Sequence, residues 1–191
     1  MLAPTSELRQ DKSTPPGWAF LLERFYEKLG LPLPSLHAIQ GEDMPQPYKG
    51  LLVHSSDMTP TLESFYHQPI RLTVLTREQQ DFSYLREVVL KSANDARPVE
   101  YGVIRICLDH LPPTASRRVL DEQRPLGNIL QGEAIPHLSW PQAFFRVQSD
   151  SHLGHVLYLS QPATLYGRRN VLLDGSRRLL AEVIEILAPV P

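Results

Sequence analysis

From Ile70 onward the chain is a succession of short segments rich in β-branched and aromatic residues, each closed by turn residues. IRLTVLT (70–76), YLREVVLK (84–91) and VEYGVIRICL (99–108) come first, and AFFRVQ, VLYLS, LYGRRNVLLD and LLAEVIEIL follow. Such segments read as strands, and the short links between them, SANDARP and Asp174-Gly175, read as hairpin loops. Hairpin-linked strands with few helices between them imply an antiparallel sheet and an α+β fold with the helices gathered on one side.

The front of the chain is different. Half of the 18 prolines precede Ile70, so this third should be mostly loop with short helices. Residues 1–17 are polar and proline-bearing and read as a mobile arm, with a single domain over 18–191. Trp18, Leu21, Leu22, Phe25 and Leu29 recur at helical spacing until Gly30 and Pro32 stop them. Residues 31–50 read as an excursion over the surface, and Thr59-Pro60 reads as the start of another helix. SRRVLDEQ reads as a helix leading into Arg124-Pro125-Leu126-Gly127.

Charge and cysteine content exclude several functions. Nineteen Lys and Arg stand against 21 Asp and Glu, a formal charge of -2, which gives no basic footprint for general nucleic-acid binding. One cysteine, Cys107, excludes an intrachain disulfide and every multi-cysteine metal site; on its strand it reads as a small buried hydrophobe. No apolar run reaches membrane-span length, so a cytoplasmic protein is expected. No phosphate-binding glycine loop, nucleophile elbow or dinucleotide fingerprint occurs, so no cofactor is expected. His152 and His155, with Asp150 nearby, have a helical metal-ligand spacing, but the glycine and serine around them favour a loop and no metal is assigned.

Strand alternation puts several charges among apolar neighbours. Arg86 shares a face with Tyr84, Val88 and Leu90, whereas Glu87 shares the other with Leu85 and Val89. In the last strand Glu182 alternates with Leu180, Ile184 and Ile186, and Glu185 with Ala181, Val183 and Leu187. An unpaired charge in a core costs several kcal/mol, so each must be edge-exposed, paired or lining a cavity. A structural ion pair accounts for any one of them. Arg86 and Glu182 facing one cavity would instead make an anion anchor and a carboxylate for a small acidic ligand. Of Arg168 and Arg169, neighbours on a strand, at most one can face inward.

Four segments in order, SSDMTPTLE (55–63), YLREVVL (84–90), RPLGNIL (124–130) and YGRRNVLLDG followed by RRLLAEV (166–183), resemble the chorismate pyruvate-lyase family, in particular its divergent lyase-like branch. The resemblance begins near Leu51. It implies a six-stranded antiparallel sheet enclosing an internal ligand cavity, and a cofactor-free lyase that releases pyruvate from chorismate to leave 4-hydroxybenzoate. On this resemblance Arg86 binds the ring carboxylate, the backbone N–H groups of Leu126 and Met58 complete the anion site, and Glu182, chosen by its spacing from Gly175, meets the ring hydroxyl. Arg86 and Glu182 would be the catalytic pair. The same fold also serves in bacterial regulators as an effector-sensing module that binds a small acid or sugar without turning it over, and a lyase acting on a related chorismate-derived acid is a third reading. The expected partner in each case is a small molecule, with no nucleic acid.

Overall fold

The computed structural model describes Gly17 and residues 19–190. The rest of the proposed N-terminal arm, and Trp18, lie outside the described residues. In chain order the elements are α1 (Phe20–Leu29), β1 (Leu36–Ile39), α2 (Tyr48–Leu52), α3 (Met58–Tyr66), β2 (Ile70–Gln80), β3 (Ser83–Ser92), β4 (Pro98–Cys107), α4 (Pro113–Leu120), α5 (Leu126–Gly132), β5 (His137–Gln148), α6 (Ser151–Val156), β6 (Thr164–Asp174) and β7 (Leu179–Leu187).

The strands form one sheet in the order β1-β5-β6-β7-β4-β3-β2, with every neighbouring pair antiparallel. It is built from two three-stranded meanders, β2–β3–β4 and β5–β6–β7, joined where β4 pairs with β7. The α+β antiparallel architecture is the one the strand pattern implies. The seventh strand is β1, which adds to β5 at the sheet edge through four residues only. So short a run, with His37 exposed between its neighbours, leaves too little alternation to be read as a strand.

Helices cover both faces of the sheet rather than one. The strands at its centre are buried on both sides, and β3 and β4 have almost no exposed residue. Each face therefore needs a cover. On one face α1 and α6 pack Leu22, Phe25 and Leu153 onto Val103, Phe145 and Ile184. Gly30, at φ 65°, caps α1 in the left-handed conformation that favours glycine. On the other face α2 and α3 lie over Ile70, Leu90 and Leu187, and α4 and α5 over Ile104, Ile106 and Leu172.

Three local expectations differ from the structure. SHLGH is the helix α6, started by the Asp150 side chain accepting from the Leu153 N–H at 2.8 Å; this cap outweighs Gly154. VLYLS is the end of that helix and the turn after it, with Tyr158 at φ 55°, not a strand. Leu126 and Gly127, for which no helix was expected, open α5 immediately after Pro125. Among the described residues no helix is long and apolar enough to cross a membrane.

A candidate anion-binding cavity

The floor of a hollow between the sheet and the starts of α3 and α5 follows from strand register. Arg86, Ile104, Val183 and Asn170 form one row across β3, β4, β7 and β6. Val88, Gly102, Glu185 and Arg168 form the next, and Leu90, Glu100, Leu187 and Tyr166 the one after. Neighbouring strands lie about 4.8 Å apart, and alternate residues on a strand are about 6.6 Å apart. Gly102 stands near the middle of this grid, where a Cβ would come within 3.2 Å of Val88 and 3.4 Å of the Glu100 carboxyl. The missing side chain opens the floor.

The roof is made by the first turns of α3 (Asp57, Met58, Thr59) and α5 (Leu126, Gly127, behind Pro125). First-turn N–H groups have no carbonyl of their own helix to bond to. The hollow between measures about 70 Å³. A single water needs about 10–15 Å³ on this scale, so there is room for roughly half a dozen small groups.

Arg86 is 1% exposed, yet its Nε and Nη1 have no hydrogen-bond partner among the described residues. Burial pushes its guanidinium below the ordinary value, partly offset by Tyr84 and Glu122. A buried group with unmet donors costs more than almost any other side chain. Here it lies on the wall of a cavity at the N-terminus of α3, which carries partial positive charge. The arrangement is electrostatically suited to an anion.

Arg168 has the opposite circumstances. It is fully buried and pairs with Glu185 at 2.5 Å. Its remaining N–H groups donate to the carbonyls of Leu52 (3.2 Å), His54 (3.0 Å) and Ser56 (3.3 Å). One side chain thus ties the segment leading into α3 to the sheet floor.

The structure brings Arg86, Met58 and Leu126 to the wall of this one cavity and places Glu182 outside it. Glu182 lies on the opposite face, where it accepts from Arg105 Nη2 at 2.9 Å and from Arg169 Nε at 2.9 Å. The carboxylate of β7 that lines the cavity is Glu185. The physical reason is a bulge: Leu172 pairs with Ala181 but Leu173 with Leu179, so Leu180 is an extra residue. Counting from Gly175 crosses that bulge, and an extra residue inverts the face of everything beyond it. Glu182 is therefore corrected to a structural ion pair at the open end of the α1 face.

The other charges resolve in the same way. Of the arginine pair, Arg168 faces inward and Arg169 outward. Glu87, under α6, accepts from Thr76 (3.1 Å), Tyr101 (2.9 Å) and His152 (2.7 Å). Burial opposes its ionisation, but these bonds hold it below the usual carboxylate range. They also account for His152, and among the described residues no three His, Cys, Asp or Glu are grouped to hold a metal. Cys107 is half-buried, its thiol pushed up by burial. Two polar cavity residues escaped the sequence reading, Glu100 and Asn170. Parity alone could have found them, because Glu100 alternates with Gly102, Ile104 and Ile106, and Asn170 with Leu172.

His137, at the start of β5, bonds the Asp57 carboxylate through Nε2 (2.9 Å) and the Ile135 carbonyl through Nδ1 (2.9 Å). Both partners are acceptors, so both ring nitrogens are donors only in the imidazolium. The hydrogen bond to Asp57 raises the His137 pKa; burial opposes it, and the Ile135 carbonyl supports it. Because the folded value lies above the unfolded one of about 6.5, the stabilisation is complete below that pH and is lost as pH rises through the folded value. Thermal melts should therefore show wild type losing more stability than His137→Gln between pH 6 and pH 9. Parallel profiles would show that the bond contributes nothing.

Comparison with known proteins supports the fold. No protein-family model matches the sequence, and no curated protein matches it. Among solved structures, PhnF from Mycobacterium smegmatis is similar at 10% identity over 71% of this chain and 65% of the other, with a TM-score of 0.52. The alignment thus spans just under two thirds of PhnF. The effector domain of PhnF gives the same TM-score at 10% identity, over 70% of this chain and 88% of that one. A transcriptional regulator of the GntR family from Bacillus cereus aligns at 12% identity over 63% of this chain and 92% of the other, with a TM-score of 0.46. The expectation of a carbon–oxygen lyase is corrected by these findings. Of the structures just named, the one aligned over most of its own length at a TM-score above 0.5 is the effector domain of PhnF, and the glutamate expected to act at the ring is outside the cavity.

Proposed function

We propose that this chain is a non-catalytic receptor domain for a small organic anion, with Arg86 as its anchor. The carrying observation is that Arg86 is almost wholly buried on a cavity wall with two donors unpaired among the described residues. A planar guanidinium meeting a carboxylate or phosphate can make two parallel charge-assisted hydrogen bonds. First-turn N–H groups of α3 would add to them, since Met58 lines the same wall. Nothing in the cavity needs to be consumed: the Glu185 carboxylate is engaged by Arg168, and Arg86 offers binding rather than proton transfer. The similarity to the PhnF effector domain supports a sensing role, in which occupancy of the cavity is the output.

The test is a titration of the protein, followed by amide NMR shifts and by melting temperature, with butyrate, hexanoate and inorganic phosphate. Butylamine and butanol serve as cationic and neutral controls. At least one anion should shift amides of α3 and β3 and raise the melting temperature in proportion to the logarithm of its concentration, and the controls should not. Amines binding as well as anions, or no anion binding at all, would overturn the proposal.

A further inference from the structure

The segment that leads into α3 is held by two histidines whose hydrogen bonds require opposite states of charge. His54 Nδ1 lies 3.1 Å from the Ser56 N–H, and its Nε2 lies 2.7 Å from the Leu51 carbonyl. A backbone N–H only donates and a carbonyl only accepts, so Nδ1 is bare and Nε2 carries the proton. His54 is therefore held as the neutral ring. Arg168 Nη1, a second donor, stands 3.5 Å from the same Nδ1. A proton added there would break the Ser56 N–H bond and set a new cation against the guanidinium. His137 obeys the opposite rule. Its two partners, the Asp57 carboxylate and the Ile135 carbonyl, both accept, so it is held as the imidazolium.

The surroundings of each ring favour the state its bonds require. The charged groups facing His54 are Arg168 on β6 and its ion-pair partner Glu185 on β7. Burial first, and then Arg168, push the His54 ring below its ordinary value, against the Leu51 carbonyl and Glu185. Facing His137 are Asp57 and, across the β5–β6 pair, Asp174, which is bonded to Arg178. The hydrogen bond to Asp57 holds the His137 ring above its ordinary value. One histidine thus grips the segment at Leu51 and Ser56, and the other grips it at Asp57.

We infer that His54 and His137 form a two-sided pH clamp: the segment leading into α3 is fully fastened only within a band of pH, and is loosened in acid by protonation of His54 and in alkali by deprotonation of His137. The signs follow from linkage. An unfastened segment leaves both rings near the ordinary value of about 6.5. The His54 contribution is complete above that value and is lost as pH falls through its lower folded value. The His137 contribution is complete below it and is lost as pH rises through its higher folded value. Their sum peaks at about pH 6.5. Asp57 and Met58 line the cavity, so the band governs when that wall is in place. The clamp belongs to the empty protein and stands or falls apart from the anion-receptor reading.

Amide hydrogen exchange followed by NMR from about pH 5 to about pH 8.5 tests the clamp, with each rate taken relative to the intrinsic rate at that pH. The reporters are Ser56, whose N–H is bonded to His54, and Thr61, whose N–H is bonded to the Asp57 carbonyl. Their protection should be greatest near pH 6.5 and about threefold lower or more at both ends, while Glu23 in α1 stays level. His54→Gln, which offers an acceptor and a donor without titrating, should remove the acid-side fall at Thr61 and keep the alkaline one. His137→Gln should do the converse. Level protection in the wild type, a fall on one side only, or both falls surviving either substitution would overturn the inference. Ring nitrogen shifts of the wild type decide the matter even if a variant fails to fold. At about pH 6.5 His54 should be neutral with its proton on Nε2 and His137 should be the imidazolium, and the same charge state on both rings would overturn the clamp.

Discussion

Arg86→Met should lose the binding of butyrate, or of whichever simple anion binds the wild type, by about 30-fold or more, while the empty protein becomes more stable. The first effect follows from removing one partner of a desolvated charge pair, which costs about 2–5 kcal/mol. The second follows from the state of the side chain before ligand arrives. Its guanidinium is buried with Nε and Nη1 unpaired, so the folded protein carries an unpaid desolvation cost. Methionine of similar length places apolar atoms among Val88, Leu90 and Ile104 and removes that cost, a gain of about 1–3 kcal/mol by comparison with buried ion groups replaced by apolar ones. Arg86→Lys should not restore binding, because an ammonium lacks the planar fork. Melting curves and titrations on the three proteins check this. A drop in melting temperature for Arg86→Met with retained anion affinity would show that Arg86 is a structural charge.

Arg168→Leu should do the reverse, destabilising the fold by about 3–5 kcal/mol, the usual effect of breaking a buried pair from one side. Glu185 would be left buried without its counter-ion, and the carbonyls of Leu52, His54 and Ser56 would lose their donors. The segment that carries those carbonyls leads directly into α3, so the roof of the cavity should loosen with it. Urea unfolding gives the size of the loss, and hydrogen exchange its place: Met58–Leu62 should exchange faster than α1. Glu182→Gln, at the half-buried triad with Arg105 and Arg169, should change stability by less, about 1 kcal/mol. Equal losses in the two variants would refute the assignment of Arg168 as the tie between sheet and roof.

Much of this was written into the alternation of the strands. Arg86 stood out because it falls among Tyr84, Val88 and Leu90, and a charge at such a position needs either a partner or a cavity. Parity rightly set Glu182 with Ile184 and Ile186 and left the choice between Glu182 and Glu185 open; what failed was the choice of Glu182 by its spacing from Gly175, because the extra residue at Leu180 is invisible in composition. Helix α5 was hidden by Pro125 and Gly127, which signal a turn as readily as a helix start. β1 was hidden by its length. The division of helices between two faces was implicit in β7, where both Glu182 and Glu185 lie among apolar neighbours, but a sheet covered on both sides needs more helices than the front of the chain appeared to offer. Arg168 could not be told from Arg169 until register gave one of them Glu185 as a cross-strand neighbour.

The joining of the two meanders has a consequence for how the cavity comes into being. Each meander closes through local hairpins, but β4 meets β7 through partners such as Gly102 and Glu185, more than eighty positions apart in the chain. Contacts that distant are entropically costly to bring together and form slowly. Arg86, Glu100 and Gly102 belong to one meander, Asn170, Arg168 and Glu185 to the other. Neither half carries the whole wall, so the cavity exists only once the β4–β7 seam has docked. On the anion-receptor reading, an occupant bridging the two halves would stabilise the correctly registered seam over slipped ones.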